Sequence, residues 1–143
     1  MATATPPSDA YALTEDQLEF RDAIRKMVVE RVAPRAAEID AKAEYPWDLR
    51  KLFAEHDLFG LPFGEEFGGT GTGTLMLNVA IEEVARACAS SALMLMVQEL
   101  GTLPISLFGT EELKQRFLPR CASGEWTPRS RSPSPRPART RAA

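Results

Sequence analysis

Few residues in this chain have the type and spacing that chemistry needs. Glu82 and Glu83 are adjacent. Neighbours on a helix point in different directions, so the pair cannot face one substrate as acid and base and reads as a solvated helix face. His56 is the sole histidine; with no Cys or Ser in a recognisable nucleophile context, it reads as a residue near a helix C-terminus. Cys88 and Cys121 fit neither a CxxC nor a metal-ligand spacing, so no metal site is expected. "FGGTGTG" has the glycine content of a phosphate cradle, but no Gly-Lys-Ser/Thr follows and no strand precedes it. A shaped loop between helices is the expectation there. The stripe Leu93, Met94, Met96, Val97 and Leu100 is core by default, yet methionine also suits a surface that adapts to a flexible apolar ligand, so a lipid-tail pocket stays open. No residue qualifies as catalytic.

These residues must be positioned by helices. "LTEDQLEF" opens the first: Thr14 is the N-cap, Gln17 completes a capping box, and Leu13 and Leu18 are spaced as a staple. Leu18, Ile24, Met27, Val28 and Val32 continue at helical spacing. Pro34 marks a kink or a new first turn, followed by the short helical piece "PRAAEIDA". "PWDLRKLFAEHDLFG" predicts a helix with Trp47, Leu49, Leu52 and Phe53 in the core and Gly60 as its stop. "GLPFGEEFGGTGTGT" is a loop. From Leu75 to Phe108 two helices are expected, divided near Ala89–Ser91, the second apolar nearly all round and therefore buried. Thr110 caps a last short helix, with Glu111 and Glu112 in its first turn. No alternating strand pattern occurs, so the fold class is all-α, a helical bundle.

Composition narrows the function. The formal net charge of −3 hides a split: residues 129–143 hold five Arg and no acid. The rest has 12 basic against 20 acidic residues, a charge of −8. An acidic body offers no face for phosphates, so nucleic acid is not an expected partner. No apolar run of bilayer-spanning length is read, and the start, "MATATPPSDAYALTED", resembles no leader, so no membrane partner is expected. Two cysteines at neither of those spacings suit a reducing compartment, and a cytoplasmic location is expected. The divisions are a flexible N-terminus 1–10, a helical domain 11–127 and a disordered Arg/Ser/Pro tail 128–143.

The order of segments resembles the N-terminal domain of acyl-CoA dehydrogenases. "LTEDQLEFRDAIRKMV" is similar to that family's first helix, and "VAPRAAEIDAKAEYPWDLRKLFAEHDLFGLPFGEEFGGTG" to its progression into an aromatic-Gly-Gly-x-Gly loop. "AIEEVARACASSALMLMVQELGTLPISLFGTEELKQRFLPRCASGEW" resembles the two long helices and the short helix that follow. The likeness runs from about Tyr11 to Trp126. It implies an FAD enzyme in which the flavin takes a hydride from the acyl β-carbon while a Glu removes the α-proton. The Glu and most FAD contacts belong to later parts of such an enzyme, so this chain alone is expected to bind no FAD and to be inactive. The resemblance implies an acyl-CoA substrate and places Leu93, Met96, Val97 and Leu100 at the far end of the acyl pocket. Some relatives carry an acid at the position of Met96; here the pocket would be wholly apolar. Homo-oligomers are implied for the family, built largely through a domain outside this sequence, and helix faces that meet the later domains would be exposed. The alternative reading is a non-catalytic helical module that binds an acyl chain or a protein.

After Trp126 the family pattern continues Leu-Thr-Glu-Pro-Glu-Ala-Gly-Ser-Asp, where this chain has "RSRSPSPRPARTRAA". Arg131–Thr140 can be encoded CGC TCA CCG AGC CCG AGG CCG GCT CGG ACC, and reading from the third base yields that motif in full. A frameshift between Trp126 and Arg131 is therefore the expectation, testable by resequencing the DNA. The rival reading is a basic tail that binds nucleic acid or an acidic partner.

Overall fold

The computed structural model describes residues 12–127, and among them only helices and turns occur. The expected flexible stretch 1–10 and the tail 128–143 lie outside the described residues. Helix α1 spans Glu15–Met27. Its capping box is present: the Gln17 amide donates to Thr14 Oγ1 at 3.3 Å, and the Thr14 amide donates to Gln17 Oε1 at 3.0 Å. The chain widens into a π turn over Val28–Val32 and tightens into a 3₁₀ turn over Ala33–Arg35, so Pro34 stands in a new first turn, one of the two outcomes expected there. Pro34 has no N–H to give and its ring crowds the carbonyl four residues back, so the ladder is re-spaced one turn earlier. Val28 and Val32 stay buried as a result.

Helix α2, Ala36–Lys42, ends at Ala43 in the left-handed region (φ 51°). Helix α3, Trp47–Glu55, inserts Leu49, Leu52 and Phe53 into the core. Trp47 departs from expectation: it is 71% exposed and packs on Tyr45, with ring centroids 4.6 Å apart. It is the first residue of its helix, where the side chain precedes the face that meets the core. Gly60 is not the stop either, since α3 closes at His56. The Gly60 carbonyl instead anchors the following loop, accepting from Phe63 and Thr70.

Helices α4 (Gly73–Ala87) and α5 (Ala89–Phe108) divide at Cys88, whose backbone is extended (φ −153°, ψ 102°). Helix α6 spans Glu111–Ala122, capped by Thr110. Helix α4 packs on both α1 and α5, and α5 packs on α6. The main core joins Ile24, Val32, Phe53, Leu77, Val84 and Leu95; a smaller cluster joins Phe63, Leu118, Cys121 and Ala122. Two expectations about α5 are corrected. At 20 residues it is long and apolar enough to cross a bilayer by length and composition. It is also only partly buried, because one side meets α4 and α6 and the other leaves large apolar side chains exposed.

Candidate functional site

Helix α5 is inside out. Its inward side carries Ser91, Gln98 and Thr102 between Met94 and Leu95, all buried. Its outward side carries Leu93 (50% exposed), Met96 (43%), Leu100 (62%), Leu107 (61%) and Phe108 (85%). The buried polar groups have partners within the bundle. Ser91 Oγ donates to Cys88 Sγ at 3.2 Å, Thr102 Oγ1 donates to the Gln98 carbonyl at 2.8 Å, and Gln98 Nε2 donates to the Trp126 carbonyl at 2.9 Å and to that of Cys121. Only Gln98 Oε1 lacks a partner among the described residues. A soluble helix normally turns its apolar stripe inward. When the stripe faces out instead, large apolar side chains are held in water, which marks a contact surface.

All four sequence-assigned pocket residues lie on this side. Leu93, Met96 and Leu100 are exposed and Val97 is half-buried. They form one wall of an open surface rather than a closed pocket. The sole ionisable residue of α5, Glu99, is held at the flank of the stripe, where it accepts from Thr74 Oγ1 at 2.7 Å. The wall itself therefore carries no carboxylate, base or nucleophile.

The other candidates fall into structural roles. Glu83 is not on a solvated face: it is 3% exposed and takes a two-pronged contact from Arg25, with Nη2 at 2.8 Å and Nε at 2.9 Å. Those hydrogen bonds hold its carboxyl below the usual carboxylate range against the opposing effect of desolvation. Glu82 is exposed and pairs with Arg86 at 3.1 Å, while Arg86 also reaches Glu83 at 3.9 Å. His56 closes α3, as expected of a residue near a helix end. In the glycine loop the amides of Gly68, Gly69, Thr70, Gly71 and Gly73 donate to the carbonyls of Glu65, Gly64, Gly60, Phe63 and Leu61. A phosphate would find these donors spent. Gly69 is required by close approach, since a Cβ there would sit 2.2 Å from the Phe63 carbonyl oxygen. No cluster of three metal-ligating side chains occurs among the described residues.

Sequence reasoning missed how the end of α6 is held. Arg50, 6% exposed, donates to the Gly124 carbonyl at 2.5 Å and to Tyr45 Oη at 3.3 Å while its guanidinium lies 4.7 Å from the centre of the Phe59 ring. Together with Gln98 it fixes the direction in which the chain leaves α6. A cleft of about 780 Å³ opens beside this clasp, lined by Tyr45, Trp47, Ile105, Phe117 and Trp126. Burial pushes the Cys121 thiol, also on its wall, upward. That thiol is therefore a poor nucleophile. Two polar side chains at 98 and 102, one helical turn apart in an apolar helix, were the available signal that this side of α5 points inward.

Residues 14–125 match the family model described as acyl-CoA dehydrogenase, N-terminal domain. The chain belongs to the acyl-CoA dehydrogenase family. Among curated acyl-CoA dehydrogenase relatives, cyclohex-1-ene-1-carbonyl-CoA dehydrogenase of Geobacter metallireducens is 44% identical over 115 residues, covering 80% of this chain and 30% of the relative. The probable acyl-CoA dehydrogenase YngJ of Bacillus subtilis is 38% identical over 115 residues, with the same coverage. A solved glutaryl-coenzyme A dehydrogenase complex superposes with a TM-score of 0.76 at 27% identity, covering 82% of this chain and 31% of that one. This acyl-CoA dehydrogenase chain thus spans about 30% of the length of the curated relatives it matches. The glycine loop of this acyl-CoA dehydrogenase domain offers FAD no free amide at Gly68, Gly69, Thr70, Gly71 or Gly73.

Proposed function

We propose that this chain is the helical, acyl-binding portion of an acyl-CoA dehydrogenase and that its α5 wall receives the tail of the acyl group. Leu93, Met96, Val97 and Leu100 form that wall. The reading rests on one observation, the outward apolar face of α5 set over an inward face from which Ser91, Gln98 and Thr102 donate hydrogen bonds within the bundle. An acyl tail needs dispersion contacts and no hydrogen bonds, and an uncharged Leu/Met surface supplies only those. The names of the matched relatives agree with an acyl-CoA thioester as the substrate of the whole enzyme.

In the whole enzyme FAD would supply the hydride acceptor for α,β-dehydrogenation. The described residues contribute neither its cradle nor a base facing the wall, so residues outside this domain must hold the flavin and the catalytic Glu. The chain in isolation is therefore a domain without turnover, and the frameshift near Trp126 is our account of why the family motif is replaced. The experiment is to incubate the purified chain with FAD, remove free flavin, and assay oxidation of a fatty acyl-CoA. No stoichiometric flavin absorbance and no oxidation are expected; turnover above the protein-free rate contradicts the reading.

A further inference from the structure

Two buried polar side chains from different helices converge on one turn of backbone. Arg50 of α3 donates to the Gly124 carbonyl at 2.5 Å and to Tyr45 Oη at 3.3 Å. Gln98 of α5 donates to the Trp126 carbonyl at 2.9 Å and to that of Cys121. The turn that closes α6 is thus held at three carbonyls. We propose that Arg50 and Gln98 are positioning residues: they register the chain leaving α6 against the outward face of α5, so that the segment after Trp126 starts at a fixed place relative to Leu100.

The first support is the cost of Arg50. It is 6% exposed, and its hydrogen-bond partners among the described residues are a carbonyl and a phenol, not a carboxylate. A guanidinium buried without a counter-charge is costly, and an apolar side chain would fill the same space more cheaply. What the guanidinium adds is a rigid fork that fixes two oxygens at once. The second support is the fit of the turn itself. Gly124 has φ 75°, and a Cβ there would sit 2.6 Å from Phe59 Cδ2, while the Arg50 guanidinium lies 4.7 Å from the centre of the same ring. Glycine alone permits that approach. The third is the place of Gln98. It belongs to the turn of α5 that carries Val97 and Leu100 on its other side, so one helical turn bears both the wall and the exit contact. Helices hold such arrangements more precisely than loops do. The registration does not depend on what the wall receives; only its use in a reaction rests on the acyl-tail reading. There it matters, because a displacement of about 1 Å between reacting groups can cost about 100-fold in rate.

The test uses the full chain with nitroxide labels on Leu100→Cys and Thr127→Cys, both exposed positions, and reads the distance between them by pulsed electron paramagnetic resonance. The native Cys88 and Cys121 are buried. Every variant is measured under conditions where its far-ultraviolet helix signal is intact, so that a loss of stability alone does not enter. The labelled parent should give one narrow distance. Arg50→Met should lose it, giving a broad or divided distribution, whereas Lys51→Met, an exposed neighbour on α3, should keep it. Gly124→Ala perturbs the clasp from the side of the turn and should also lose the single distance. A broad distribution in the parent overturns the proposal, as does an unchanged narrow distance in either folded clasp variant. The acyl-tail reading is tested by acyl-CoA oxidation and not by this distance, so either can fail alone.

Discussion

Glu83 shows what a single residue's environment decides. Beside Glu82 in the sequence it looks like half of an acidic pair, but the turn of α4 sends it inward to Arg25 of α1, 58 residues away in sequence. Its carboxyl is held below the ordinary range, chiefly by the hydrogen bond from Arg25. A depressed native value means that the pair's stabilisation is present above the unfolded carboxylate range and is lost as pH falls through the native value. Urea unfolding of wild type and Glu83→Gln should therefore show a gap in midpoint that is constant from about pH 7 to about pH 5 and closes below about pH 4, the ordinary Glu range. A gap that does not change with pH would mean that Glu83 acts by shape and not by charge. Nothing in the local sequence could have indicated this pairing, because the partner lies on another helix.

At the scale of elements, the parts of the sequence governed by local rules were legible. The caps at Thr14 and Thr110, the loop at 68–73 and the absence of strands follow from neighbours within a turn or two. The orientation of α5 was not legible. Periodicity says which residues share a side, but when both sides are rich in Leu and Met it does not say which side meets the core. The inward side was chosen by Gln98 and Thr102, whose hydrogen bonds need the carbonyls at the end of α6 and on α5 itself. Gln98→Leu should cost about 1–3 kcal/mol in unfolding free energy, since two carbonyls lose their donor in or near the core. The near-ultraviolet signal of Trp126 should weaken in the same variant. An unchanged urea midpoint would show that the Gln98 contacts do not hold α5 in its orientation.

For the whole molecule, family membership and fold were legible together, because the order of segments from Tyr11 to Trp126 carried more information than any motif within it. Leu93, Met96, Val97 and Leu100 share one side of α5, but the expectation that the helix is buried all round was wrong. What the bundle presents is an exposed apolar wall on α5 with no opposing wall among the described residues. The most direct test places residues 12–127 in the position of the matching domain of the Geobacter metallireducens relative and measures acyl-chain-length dependence of kcat/KM. Leu100→Glu in this chimaera should lower kcat/KM for long acyl-CoA substrates by about 100-fold or more, the loss expected when an apolar contact of ~3 kcal/mol is replaced by a buried charge, and leave the shortest substrates within about twofold. An equal loss for short and long substrates would contradict the assignment of the α5 wall to the acyl tail.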